Sequence, residues 1–204
     1  MIAIIDYGMG NLGSICNMFK KIGVDAMITS NHQQISTAEK LVLPGVGSFD
    51  AGMKNLKDSG LELLLYEEVI IKKKPILGIC LGMHLMTKRS EEGSLQGLGW
   101  IDAETILFKF PTVNKLKVPH MGWNIVNPVR ISTLTQGMEI DERFYFVHSY
   151  YVRCKDKEAV TMTAKYDLIF DAGFEQENII GVQFHPEKSH KYGMELLRKY
   201  AGII

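Results

Sequence analysis

The stretch K-P-I-L-G-I-C-L-G-M, residues 74–83, decides how the rest of the chain is read. Its apolar run, residues 75–79, has the length and bounding residues of a strand buried on both faces, the kind found inside parallel sheets. Gly78 and Gly82 then flank Cys80, and residues 81–89 have helical composition. A sharp strand-to-helix turn crowds neighbouring backbone and Cβ atoms, so it needs small residues on either side. The pattern predicts a strand, an elbow at Cys80 and a helix whose unpaired first N–H groups favour a thiolate. A buried core thiol accounts equally well for Cys80 taken alone.

Outward from the elbow, apolar strands alternate with helical patterns. Residues 1–6, 26–28 and 40–43 read as strands, and 11–22, 48–59 and 61–73 as helices. This order predicts a parallel sheet with helices on both faces and ligands beyond the carboxyl ends of the strands, where Cys80 would sit. From 98 to 174 the pattern changes to short β-branched and aromatic runs, 103–110, 123–126, 143–152 and 159–165, separated by Asn, Pro and Gly turns. These read as antiparallel strands carrying the chain around the sheet. A final strand, 179–184, and a closing helix, 192–200, follow. No repeat, low-complexity segment or long linker divides the chain, so a single domain over 1–204 is expected.

The last apolar run leads into G-V-Q-F-H-P-E, residues 181–187. Residues two apart in an extended stretch point the same way, so His185 and Glu187 are expected on one face at a strand's end. Glu187 would then hold one ring nitrogen and leave the other free to take the thiol proton of Cys80, the logic of nucleophile, base and orienter. An isolated H-P-E is more often a capped loop; the elbow is what favours the chemical reading. Pro44 to Gly47, P-G-V-G, follows a strand with unobstructed backbone amides, and as sequence it is equally a plain tight turn.

The 204 residues carry 23 Lys plus Arg against 23 Asp plus Glu, with 46% apolar and 23% charged residues. Balanced charge gives no general attraction to nucleic acid or a membrane surface, and neither is expected as a partner. The three cysteines, Cys16, Cys80 and Cys154, are widely spaced and form no C-x-x-C pair, so no metal or redox cofactor is expected. An odd count without a signal peptide points to a reducing cytoplasm. The apolar runs are too short to span a bilayer.

Taken together, I-I-D-Y-G-M-G-N-L (4–12), L-P-G-V-G-S-F (43–49), G-I-C-L-G-M (78–83), S-E-E-G (90–93), V-P-H-M-G-W-N (118–124), F-Y-F-V-H-S-Y (144–150) and Q-F-H-P-E-K-S (183–189) resemble the class I (triad) glutamine amidotransferases. The narrower motifs, D-Y-G-M-G-N and P-H-M-G-W-N, resemble the glutaminase subunits of imidazole glycerol phosphate synthases. The resemblance implies a three-layer α/β sandwich of flavodoxin-like form with a central, mostly parallel sheet and additional antiparallel strands. It also implies cysteine-dependent hydrolysis of L-glutamine by Cys80, His185 and Glu187. Gly45, Val46, Gly47 and Leu81 correspond to oxyanion-binding amides. Gly47, His84, Glu92, Ser149 and Tyr150 correspond to substrate contacts, with His84 standing where the family usually has glutamine. Asn11, Met121, Trp123 and Lys188 fall at or near an interface with a (β/α)8-barrel cyclase, expected as the partner in a heterodimer that makes imidazole glycerol phosphate and aminoimidazole carboxamide ribonucleotide. Two alternatives remain at this stage. Related glutaminases feed sugar amidotransferases of surface polysaccharide synthesis, which residues 97–102 and the tail S-H-K-Y-G-M-E-L resemble more closely. An inactive regulatory subunit is the other.

Overall fold

The computed structural model describes residues 1–110 and 116–202. Four short, wholly or largely buried strands form the centre: β1 (Ile2–Ile5), β3 (Lys40–Gly45), β4 (Ile76–Cys80) and β12 (Ile179–Val182). All four pair in parallel, with β2 (Ala26–Thr29) on the outer edge, in the order β2-β1-β3-β4-β12. Successive side chains on a strand leave on opposite faces. On β1, Ala3 and Ile5 therefore enter one core with Leu41, Leu43, Phe49, Leu56 and Met83, whereas Ile2 and Ile4 enter another with Phe19, Val42, Leu77 and Leu197. Helices α2 (His32–Thr37), α3 (Phe49–Asp58), α4 (Leu61–Leu65) and α5 (Leu81–Leu85) bury their apolar residues in the first core, and α1 (Leu12–Lys21) and α6 (His190–Ala201) in the second. The result is a helix–sheet–helix arrangement around a mostly parallel centre.

The β-rich half extends that same sheet. Strand β11 (Leu168–Gln176) pairs antiparallel with β12, followed by β10 (Val160–Tyr166), β7 (His120–Pro128) and β8 (Arg143–His148). Strands β5 (Arg89–Ser90), β6 (Ala103–Leu107) and β9 (Tyr150–Cys154) form a branch that joins at β11.

Several sequence expectations are corrected. The single strand expected over 143–152 is two strands broken at Ser149, because β8 pairs with β7 while β9 turns to β6 and β11. The helix expected over 81–89 ends at Leu85: Thr87 Oγ1 donates to the His84 carbonyl at 2.7 Å, replacing a helical partner, and Arg89 and Ser90 enter β5. Residues 61–73 remain helical only to Ile71, as α4 followed by a π-helical stretch, Tyr66–Ile71. Strand β3 runs two residues beyond the expected end, through Pro44 and Gly45. Strand β11 and helix α2 were not anticipated.

The parallel register gathers three chain segments at one place. Gly45 lies opposite Cys80, and Ile79 lies opposite Val182. The residues after β3, β4 and β12 therefore leave the sheet side by side at its carboxyl edge.

Candidate active site

Cys80 ends β4 with φ 53° and ψ −109°, a conformation unusual for a residue with a side chain. The two flanking glycines explain how it is tolerated. A Cβ at Gly82 would lie 1.8 Å from the Leu43 carbonyl oxygen, and one at Gly78 would lie 2.9 Å from the backbone of Gly82 and Met83. The chain turns directly into α5, leaving the Cys80 thiol only 7% exposed.

His185 and Glu187 meet by a different route from the one expected. Pro186–Lys188 is a 3₁₀ turn, not an extension of β12, and it brings His185 Nδ1 to 2.8 Å from Glu187 Oε1. The backbone is fixed from β8: His185 N–H donates to the Tyr145 carbonyl, and Tyr145 N–H donates to Ser189 Oγ, which in turn donates to the His185 carbonyl. Both side chains are 1% exposed. Burial alone pushes the His185 imidazole down, but contact with the Cys80 thiol and the Glu187 carboxylate outweighs it and holds the ring up at about 10. Nε2 has no formed hydrogen bond among the described residues, so the ring is restrained on its Glu187 side and open on its Cys80 side. A strained cysteine, a histidine and a carboxylate in this order have the arrangement that a nucleophile, a proton carrier and an orienter require.

Beside the elbow, Tyr7 Oη donates to the Pro44 carbonyl at 2.6 Å, and a Cβ on Gly45 would come to 2.5 Å from Tyr7 Oη. Burial holds the Tyr7 phenol far above its ordinary value, so it remains a donor. Gly47 follows at φ 122°, which favours glycine, and Val46 between them is 42% exposed.

A cavity of about 330 Å³ opens over the thiol. Val46, Gly47, Leu81, His84, Glu92, Ser149 and Tyr150 all line it together with Cys80 and His185, and Gly45 lies just behind in β3. Glu92 Oε2 accepts from the Phe49 N–H at 2.9 Å, capping α3 from a distant loop. Burial, and to a lesser extent the Asp50 charge, raise the Glu92 carboxyl. His84 Nε2 lies 2.9 Å from Gln183 Oε1, which makes that nitrogen the protonated one, and Gln183 Nε2 in turn lies 3.9 Å from Cys80 Sγ. Burial pushes His84 down to about 4, so it is a neutral ring.

Sequence reasoning did not single out Gln183, Tyr7 or Asp50, nor the pairing of His120 with His148. The tautomers of that pair follow from a single acceptor. The Tyr150 carbonyl, 2.7 Å away, accepts from His148 Nδ1–H, leaving His148 Nε2 to accept from His120 Nδ1–H at 3.0 Å. His120 Nε2 then accepts from Asn124 Nδ2 at 3.3 Å. Burial holds His120 down at about 4 and His148 well below its ordinary value. Asn11, Met121, Trp123 and Lys188 are exposed, Met121 and Trp123 at 62% and 46%. Trp123 stacks on His190 and meets the edge of Tyr145, over whose ring Lys188 Nζ is placed.

Among the described residues there is no group of three or more His, Cys, Asp and Glu side chains able to hold a metal ion, and no helix long and apolar enough to cross a membrane. The sequence model of the family "glutamine amidotransferase class-I" matches residues 3–201. The imidazole glycerol phosphate synthase subunit HisH 2 of Methanococcus maripaludis is 57% identical over 98% of both chains. The subunit of the same name from Pseudomonas aeruginosa is 47% identical over the full length of both. A solved glutamine amidotransferase structure, 15% identical, superposes with a TM-score of 0.75 over 100% of this chain and 98% of its own.

Proposed function

The chain belongs to the class-I glutamine amidotransferases, and from that premise we propose that it is a single glutaminase domain whose Cys80, His185 and Glu187 hydrolyse L-glutamine. It is the glutaminase subunit of an imidazole glycerol phosphate synthase, supplying ammonia for histidine biosynthesis. The observation that carries the chemical reading is the Glu187-held His185 ring, with its second nitrogen turned to a thiol in a strained elbow.

The steps follow from proton positions. Cys80 attacks the glutamine carboxamide carbon as a thiolate, with His185 as the imidazolium. Negative charge forming on the carbonyl oxygen is met by backbone amides of the Gly45–Val46–Gly47 segment and of Leu81. As the tetrahedral intermediate collapses, the C–N bond breaks and Nε2–H of His185 protonates the departing amine, releasing ammonia and leaving a thioester. Neutral His185 then takes a proton from water, whose oxygen attacks the thioester, and glutamate departs with the thiolate and imidazolium restored. Glu187 holds Nδ1 throughout and stabilises the ring whenever it is cationic. The free oxygen of Glu92 accepts the substrate's α-ammonium, and Gly47, Ser149, Tyr150 and His84 complete the pocket.

Ammonia made here serves a second subunit. The relatives' names as subunits of a synthase support an assembly, and we assign its partner as a (β/α)8-barrel cyclase in a cytoplasmic heterodimer, docked over Asn11, Met121, Trp123 and Lys188. The test is glutaminase activity of the isolated complex with the cyclase ligand present. Cys80→Ala is expected to remove it, and retained partner-stimulated hydrolysis would refute the mechanism. Rescue of a histidine auxotroph lacking its own glutaminase subunit tests the destination of the ammonia. Failure to rescue by an active glutaminase would instead assign it to a sugar amidotransferase.

A further inference from the structure

Outside the Cys80–His185–Glu187 group, a set of directed hydrogen bonds near the cavity joins the start of α3 to the loop that carries Glu92. Asp50, in the first turn of α3, accepts from Ser94 N–H with both carboxylate oxygens at 3.0 Å, from Leu95 N–H at 3.0 Å and from Ser94 Oγ at 3.2 Å. Glu92 returns the connection by accepting from Phe49 N–H at 2.9 Å. Each segment therefore caps backbone amides of the other. The fit is close: a Cβ on Gly93 would lie 2.0 Å from Asp50 Oδ1, so residue 93 must be glycine for this approach. The amides of Ser94 and Leu95 also hold the Asp50 carboxyl below its usual range, which keeps it ionised as an acceptor.

Like charges make this arrangement informative. The Asp50 charge raises the Glu92 carboxyl, so the two carboxylates repel. A clasp that holds them near each other must serve geometry, and that geometry leaves Glu92 in the cavity wall with its Oε1 in no hydrogen bond among the described residues. We propose that Asp50 is a positioning residue for substrate recognition: it fixes the loop after β5 so that Glu92 presents its free carboxylate oxygen to the α-ammonium of the substrate. The inference rests on the glutaminase reading of the cavity given above.

A positioning role acts on substrate affinity and spares the nucleophile. In the native complex, Asp50→Ala is expected to raise KM for glutamine about tenfold or more, the scale of one lost charged hydrogen bond, with kcat changed less than about threefold. Alkylation of Cys80 by iodoacetamide, which needs no ammonium site, should keep the wild-type rate. In a Glu92→Ala background, adding Asp50→Ala should change KM by less than about twofold, because the residue through which it acts is gone. If Asp50→Ala misfolds, Asp50→Asn retains an acceptor oxygen and should show a smaller KM increase in the same direction. Full additivity of the two substitutions, or equal losses in glutamine turnover and alkylation, would overturn the proposal. An unchanged KM in Asp50→Ala with a raised one in Glu92→Ala would defeat the Asp50 role alone. An unchanged KM in Glu92→Ala would defeat both the role of Asp50 and the ammonium reading of Glu92.

Discussion

His185 and His148 are both buried at the same part of the sheet, one bridged to strand β8 and the other on it, yet their rings are driven in opposite directions. Burial penalises the charged imidazolium in each case. Around His148 the partners are a carbonyl, another neutral histidine and aromatic faces, including Phe146, Phe170 and Phe108, so desolvation wins and the ring is neutral. Around His185 the Cys80 sulfur first and the Glu187 carboxylate after it reverse the balance, and the ring carries a proton up to about 10. The difference teaches that burial alone does not fix the charge of a histidine. What fixes it is the set of partners at its ring nitrogens, for His185 the Cys80 sulfur and a buried anion, the Glu187 carboxylate, at hydrogen-bond distance.

The most severe way to break this contrast is to remove that anion. Glu187→Gln keeps the side-chain shape and can still accept from Nδ1–H, but it no longer stabilises an imidazolium. His185 should then fall toward the neutral behaviour of His148. We expect glutamine turnover in the complex to drop by about a hundredfold or more, the usual range for loss of a proton-transfer partner. The His185 titration, followed by NMR of the ring, should move down from about 10. A variant with unchanged titration and turnover would show that Glu187 does not set the charge of the ring.

Stability against pH sharpens the same contrast from both sides. For His185 the folded value, about 10, lies above the unfolded 6.5, so its contribution is fully present below 6.5 and is lost as pH rises through 10. For His84 and His120 the folded value of about 4 lies below 6.5, so their contribution is full above 6.5 and is lost as pH falls toward 4. His148 adds to that acid limb in the same direction. Fully buried His84 alone accounts for roughly 3 kcal/mol across that window. Melting temperatures should therefore peak near neutrality and fall on both sides. His148→Phe should lower the plateau, because His120 Nδ1–H loses its acceptor, but flatten the acid limb. Glu187→Gln should weaken the alkaline one. An acid limb as steep in His148→Phe as in the parent chain would contradict the role given to the pair.

The juxtaposition of Cys80, His185 and Glu187 was legible in sequence because its causes are local. Gly78, Cys80 and Gly82 encode the elbow within five residues, and His185 and Glu187 are two apart. Even so, alternation on a strand was the wrong reason for their contact, since Pro186 starts a 3₁₀ turn that does the same work. The parallel centre was legible for the same reason, each of its strands being a short, mostly apolar run. What escaped depends on residues far apart in the chain. Strand β11 contains Asp171 and Gly173, which weaken a strand pattern. In the fold, Asp171 accepts from Cys154 N–H and Lys157, and Gly173 makes room for the Met162 side chain. The Asp50 clasp spans 44 residues from Asp50 to Ser94, and the His120–His148 pair spans 28. No periodicity in the sequence records either.

The smallest expected effect on folding separates the two faces of β7. His120 and Asn124 point inward into the histidine chain, whereas Met121 and Trp123 point outward. Trp123 loses little when folding is the only consideration: its contacts are the parallel ring of His190 at 5.5 Å and the edge of Tyr145 at 6.2 Å, both at the surface. Trp123→Ala should therefore cost the isolated chain no more than about 1–2 kcal/mol, the scale of one or two aromatic pairs. An exposed tryptophan backed by Tyr145, Lys188 and His190 has the form of an anchor for a partner subunit, where truncation costs about tenfold or more in affinity. Thermal melting of the free chain and titration with the proposed cyclase partner measure the two effects separately. Large loss of folding with unchanged partner affinity would make Trp123 a residue of the fold and remove this face of β7 from the proposed interface.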